Sequence, residues 1–167
     1  KSEILNKFKI SKPKIQSRQK FWITYNGEVY NFPELKKDLE DKGYRFKTKT
    51  DTEVILALYA EYGEQSFSKL RGMFAFGLWD EGEKKLFLVR DHYGIKPLYY
   101  WSDGKTLVFA STVGALVKSG FVPTEKNPQA LIGFLLLGSV PAPQTTIKNV
   151  FSLLPGHYLV KEDRKEE

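Results

Sequence analysis

Phe21-Trp22-Ile23-Thr24-Tyr25-Asn26-Gly27-Glu28-Val29-Tyr30-Asn31 is the stretch from which the rest of the chain is read. Phe21 to Tyr25 is β-prone and predicts a strand that delivers Asn26 and Gly27 to its end. Glu28 follows at once, and a helix signal begins at Asn31. An amide donor, a sterically free backbone N–H and a carboxylate thus occupy three consecutive positions. That set can hold a small zwitterion and an oxyanion together. The competing reading is a type I′ hairpin turn, for which Asn-Gly is the strongest short signal. The helix signal at Asn31 leaves little room for a return strand and favours the site.

Outward from this stretch, Asn31 and Glu34 read as a capping box with Pro33 in the first turn. Phe32, Leu35 and Leu39 recur at helical spacing, and Gly43 is the stop. Tyr44 to Thr48 predicts a short strand. Thr50 and Glu53 read as a second capping box, opening a helix that runs to Tyr62 with Val54, Ile55, Leu58, Tyr59 and Tyr62 as its buried stripe. A short helix is expected over Gln65 to Leu70. Met73 to Trp79 is apolar on both faces, the mark of a strand covered on both sides. Lys84 to Arg90, Leu98 to Trp101, Thr106 to Ser111 and Tyr158 to Lys161 predict further strands, with a hairpin at Ser102-Asp103-Gly104-Lys105. Helices are expected over Val113 to Lys118 and, behind an Asn127 cap, over Pro128 to Leu137. Helices before and after a run of doubly covered strands imply a layered α+β domain.

The 167 residues fit one domain, and 41% apolar with 14% aromatic residues is a folding composition rather than a disordered one. There is no cysteine, so these residues supply no disulfide, thiolate metal site or cysteine nucleophile. Residues 1–20 hold seven basic residues and one acid, a balance of +6, while residues 21–167 balance to zero with nineteen of each sign. The segment 1–20 therefore reads as a basic arm or leader. Phe8 is its only aromatic residue, which argues against nucleic-acid binding. No apolar run reaches the ~20 residues of a membrane span, and no signal peptide is visible, so a cytoplasmic location is expected. Two histidines and no Gly-x-Ser-x-Gly elbow give a serine triad little support, and neither a metal-ligand cluster nor a phosphate-binding glycine loop is present. Arg90 and Asp91 read as a structural ion pair holding the loop 90–97.

Six motifs occur in order: Asn26-Gly27-Glu28-Val29-Tyr30-Asn31, Thr50-Asp51-Thr52-Glu53, Arg71-Gly72-Met73-Phe74-Ala75-Phe76, Arg90-Asp91 with Gly94-Ile95-Lys96-Pro97-Leu98-Tyr99-Tyr100, Phe109-Ala110-Ser111, and Leu154-Pro155-Gly156-His157. Together they resemble the class II glutamine amidotransferase domain of glutamine-hydrolysing asparagine synthetases, over roughly residues 21–161. The resemblance implies an N-terminal-nucleophile hydrolase fold, a four-layer αββα sandwich of two antiparallel sheets between helical layers, here incomplete at its N-terminus. It implies a glutaminase that supplies ammonia to a C-terminal synthetase domain for ATP-dependent amidation of aspartate. In the family the nucleophile is an N-terminal cysteine, expected upstream of Phe21 together with an arginine for the glutamine carboxylate. Asn26 and Gly27 stand at the family's oxyanion hole, and Glu28 and Asp51 at the acids that hold the substrate α-ammonium. The chain departs from the pattern at Thr112 and Gly114, where an acid and a lysine are usual, at Leu154, usually proline, and at His92.

Further expectations follow from the resemblance. No cofactor is expected on this chain, with ATP and Mg2+ belonging to the synthetase domain. Residues 162–167 read as the start of a charged linker. Without its nucleophile the chain is expected to be inactive alone, and the alternative is a pseudo-amidotransferase that binds without turnover. Unpaired sheet edges would permit a homodimer.

Overall fold

The computed structural model describes residues 6–8 and 20–162. Its elements are β1 (Asn6–Phe8), β2 (Phe21–Val29), α1 (Phe32–Asp41), α2 (Asp51–Tyr62), a 3-10 helix (Gly63–Lys69), β3 (Gly72–Asp80), β4 (Lys85–Arg90), β5 (Tyr99–Ser102), β6 (Leu107–Ala110), α3 (Val113–Lys118), α4 (Pro128–Leu137), β7 (Val150–Ser152) and β8 (Tyr158–Glu162). One sheet has the order β1-β2-β3-β4-β8 and a second the order β6-β5-β7. Every pairing is antiparallel.

Alternation along the strands sets the layers. Phe74, Phe76 and Leu78 of β3 turn to one face, where they pack with Phe21 and Ile23 of β2 and with Leu35, Leu39 and Val54 to Tyr59 of the first two helices. Ala75 of β3 and Leu88 of β4 turn to the other face and meet Leu98, Tyr100, Phe109 and Leu153. Gly77 makes room there: a Cβ on it would lie 2.4 Å from the ring of Phe109. Beyond the second sheet, Trp101 and Val150 pack against Leu116 of α3. The order helix, sheet, sheet, helix is the αββα sandwich, and the doubly covered strand is β3.

An aromatic cluster closes the first helical layer. Tyr59 stacks on Phe67 at 5.9 Å and meets Phe21 edge-on at 5.4 Å. Its hydroxyl donates to Asp80 at 3.1 Å, and the other Asp80 oxygen accepts Gly82 N and Glu83 N, so one buried carboxylate fixes the β3–β4 turn.

Several local expectations are corrected. Asn26 and Gly27 are not at a strand end, and they are not a hairpin turn. β2 runs on to Val29, pairing Asn26 with Ala75, Gly27 with Phe74 and Glu28 with Met73. Glycine is required for this: Gly27 sits at φ +142°, and a Cβ on it would lie 2.1 Å from the Met73 carbonyl oxygen. Neither capping box forms, since neither Asn31 nor Thr50 makes a side-chain cap. Asn31 instead spans the chain, donating to Lys69 O at 3.0 Å and accepting from Arg71 N at 2.9 Å. Glu53 turns back to the segment before α2, which is not a strand. Its carboxylate accepts Lys47 N (2.9 Å), Thr48 N (2.7 Å) and Thr48 Oγ1 (2.7 Å). The short helix expected before β3 is present as a 3-10 helix and begins two residues earlier, at Gly63. Within the basic segment, Asn6–Phe8 pairs with Phe21–Ile23, and β7, unforeseen, pairs with β5.

Candidate functional site

The peptide groups of β2 sort by register. Tyr30 N donates to Arg71 O at 2.7 Å, so alternate residues of the strand turn their backbone towards β3 and the others turn away. Val29 is one of those turned away, and its N–H goes to Asp51 Oδ2 at 3.0 Å. Gly27, two residues earlier, presents its N–H to the same outer edge, the edge on which β1 pairs with Phe21–Ile23.

Asp51 is the first residue of α2, where the helix dipole favours a carboxylate. The same Oδ2 also accepts the Tyr25 hydroxyl at 2.6 Å. Two donors from β2 therefore hold one oxygen of Asp51 and leave Oδ1 uncommitted among the described residues. Tyr25 was not singled out from the sequence. Burial, the hydrogen bond to Asp51 and the charges of Asp51 and then Glu28 push its phenol far above the usual tyrosine range, against a smaller opposing effect of the Val29 N–H. Tyr25 thus remains a hydrogen-bond donor, and both acids lie close enough to act on its hydroxyl.

Asn26 faces the second sheet. It lines a narrow cleft with Thr24, Pro97, Leu98, Ala110 and Ser111 that encloses about 10 Å3. Its side-chain amide makes no hydrogen bond among the described residues and remains available as a donor. Glu28 shares that strand face by alternation, is exposed, and likewise makes no hydrogen bond among the described residues. Asn26, Gly27 and Glu28 thus lie in the last half of β2, and Asp51 is tied to the same half through Tyr25 and Val29. A larger cleft of about 640 Å3 reaches Phe74 of β3 and is lined also by Glu64, Arg90, His92, His157 and Tyr158. It includes none of Asn26, Gly27, Glu28 and Asp51.

The loop after β4 is built differently from the expectation. Arg90 and Asp91 form no ion pair with each other. The Arg90 guanidinium donates to Gly94 O (2.8 Å), Lys96 O (2.7 Å), Leu153 O (2.5 Å) and Ser152 Oγ (3.0 Å). Asp91, fully buried, accepts Phe74 N (3.3 Å), Tyr93 N (3.0 Å), Ile95 N (3.1 Å) and Lys96 N (3.0 Å). Burial alone would raise its carboxyl, but those backbone donors outweigh burial and hold it below the ordinary aspartate value. Both residues serve the backbone rather than a ligand. His157 closes its own turn through Nδ1 and Pro155 O at 2.8 Å, and His92 is exposed. No group of three or more His, Cys, Asp or Glu side chains suited to a metal exists among the described residues.

A family model described as a glutamine amidotransferase domain matches residues 4–167. The chain belongs to the glutamine amidotransferase domain family. It is 43% identical over 136 residues to asparagine synthetase [glutamine-hydrolyzing] 1 of Bacillus subtilis, covering 81% of this chain and 21% of that protein. It is 35% identical over 147 residues to a putative asparagine synthetase [glutamine-hydrolyzing] 2 of Methanocaldococcus jannaschii, covering 87% of this chain and 28% of that protein. The chain thus spans less than a third of the length of these curated relatives. The solved glutamine PRPP amidotransferase of B. subtilis superimposes over 97% of this chain and 30% of its own, with a TM-score of 0.61 at 24% identity, a likeness of fold. This is a glutamine amidotransferase domain of the kind found in asparagine-synthetase-like proteins. No helix of the described residues is long and apolar enough to cross a membrane.

Proposed function

We propose that this amidotransferase domain recognises glutamine at the outer edge of β2 and serves a larger enzyme that transfers the amide nitrogen. The observation that carries the proposal is the shared anchoring of Asp51 by Tyr25 and Val29 N, beside the donors of Asn26 and Gly27. In this reading the substrate α-ammonium lies between Glu28 and Oδ1 of Asp51. Opposite charge favours both acids as carboxylates there. The Asn26 side-chain N–H and the Gly27 backbone N–H receive the oxyanion of the tetrahedral intermediate; one such donor is worth ~10²–10³ in rate. The nucleophile is contributed from outside these 167 residues, which contain no cysteine. The released ammonia passes to a synthetase domain that amidates aspartate with ATP and Mg2+, neither of which this domain binds.

Calorimetry with glutamine tests recognition. The purified chain is expected to bind glutamine and the Asp51→Ala variant to bind at least ~10-fold more weakly, the scale of one lost charged hydrogen bond. Equal binding by both, or binding by neither, removes the assignment of Asp51. Ammonia release from glutamine by the purified chain would overturn the claim that the nucleophile comes from elsewhere. Binding without release, retained when the complete polypeptide is assayed, would favour the pseudo-amidotransferase.

A further inference from the structure

α4 has the composition of an interior helix and the position of a surface one. Its residues Pro128 to Leu137 include no charged side chain. Only Ala130 of α4 is buried. Leu131, Ile132, Phe134, Leu135, Leu136 and Leu137 are exposed by 60%, 57%, 50%, 74%, 78% and 68%. The inward side is narrow and is marked by Ala130 and by Gly133, where a Cβ would lie 2.7 Å from Pro141 Cδ. At about 100° per residue, Phe134, Leu131, Leu135, Ile132 and Leu136 then follow one another round an arc of roughly 200°. A groove of about 460 Å3 runs along one flank, lined by Lys126, Asn127, Pro128, Leu131, Phe134 and Val140 among others. A helix that is apolar on all sides belongs in a core. Five adjacent apolar side chains, each at least half exposed, are a contiguous patch rather than the scattered single apolar residues of an ordinary surface.

We propose that α4 and its groove are the seat of a further domain of the same polypeptide, whose apolar surface packs round the helix. Two observations choose this occupant. The relatives match 81–87% of this chain yet extend to several times its length, so each carries a large body of protein beyond the matched part. The exposed arc is also too wide for a second copy of this chain. A two-fold contact lays α4 against its own copy and covers one side of it, whereas an arc of ~200° needs a concave surface of several elements. A helix whose own side chains are largely apolar and all uncharged has the character of a permanent interface. The inference rests on this being one domain of a larger enzyme and is independent of the glutamine site, so Asp51→Ala leaves it untouched.

The test uses this chain and the part of the B. subtilis asparagine synthetase 1 relative that lies outside its matched 136 residues. Titration calorimetry is expected to show binding in trans, weakened at least ~10-fold by Leu135→Glu and by Leu131→Glu. Both side chains are exposed, so the variants are expected to fold, checked by an unchanged melting temperature. A second measurement covers the case in which the probe does not fold alone. A chimera places this chain in the relative in place of its matched residues, and hydroxyl-radical labelling of Leu131, Phe134 and Leu135 is compared with the isolated chain. Labelling at least ~10-fold lower in the chimera, restored by Leu135→Glu, supports the proposal; equal labelling overturns it. A dimer of the isolated chain that Leu135→Glu disperses overturns it in favour of a second copy. Co-sedimentation with phosphatidylglycerol vesicles that Leu135→Glu abolishes overturns it in favour of a membrane surface.

Discussion

Tyr25 carries more of the candidate site than its place in the chain suggests. Its hydroxyl and the Val29 N–H converge on one oxygen of Asp51, which joins a helix start to a strand 22 to 26 residues away. A hydrogen bond to a charged acceptor contributes about 1.5–3 kcal/mol when well buried, and Tyr25 is half-buried. Tyr25→Phe is therefore expected to cost about 1 kcal/mol. The measurement is a shift of the urea midpoint at unchanged slope. Asp51 loses one of its two anchors in this variant, so weaker glutamine binding by calorimetry should accompany the shift. Unaltered binding would leave Tyr25 a packing residue only. The alternation of β2 could have directed attention to Tyr25, since it places Tyr25 on the helical side with Ile23 and Val29. What alternation does not contain is the distance to Asp51.

At the scale of the element, the loop from Arg90 to Pro97 is held by two opposite charges that ignore each other. Asp91 collects four backbone N–H groups and Arg90 collects three carbonyls and a hydroxyl. A buried carboxylate with that many donors is costly to delete, because each N–H is left without its acceptor. Asp91→Ala is expected to destabilise the fold by about 3 kcal/mol or more. Faster amide exchange at Tyr93, Ile95 and Lys96 than at residues of α1 would place the damage in this loop. Exchange that rises equally everywhere would show only global unfolding. The adjacent Arg-Asp pair suggested an ion pair in the sequence. The fold instead gives each side chain a different set of backbone partners, because the two point to opposite sides of the extended chain. Glu53 follows the same logic on the other side of the sheet, serving Lys47 and Thr48 rather than the start of its own helix.

The whole molecule inherits a pH dependence from these carboxylates. Burial by itself would raise the Glu53 carboxyl, but hydrogen bonds from Lys47 and Thr48 and the charge of Lys36 outweigh it and hold it below the ordinary glutamate value. Asp91 is held down in the same way. A carboxyl depressed in the folded state binds its proton more readily when unfolded. Its contribution is complete above the unfolded values, about 3.9 for Asp and 4.3 for Glu, and is lost as pH falls through the lower folded values. Stability should therefore be level from neutral pH to about 5 and should fall below about 4.3. Glu53→Gln should lower stability at pH 7 by about 1–3 kcal/mol and flatten the acid limb. Denaturant melts from pH 7 to pH 3 on both proteins check this, and an equally steep acid limb in the variant would assign the effect to other groups.

Much of this protein was legible before any coordinates. The periodicities of α1 and α2 place those helices within a residue or two, since an amphipathic pattern depends only on local spacing, and the Asn127 cap marks the start of α4. The two-faced apolar run of β3 announces a strand between two layers, and the six ordered motifs carry the family. The end of β2, the partners of Asn31 and Glu53, the indifference of Arg90 to Asp91 and the role of Tyr25 are of another kind. Each depends on what a side chain or peptide group meets across tens of residues of sequence. The helix signal at Asn31 weighs against a turn at Asn26-Gly27, but that β2 runs on through both residues to Val29 is decided only by the register with Met73 and Phe74. Local sequence sets which conformations are cheap. The tertiary structure decides which buried donors and acceptors find each other, because an unpaired polar group inside the fold costs more than any local preference gains.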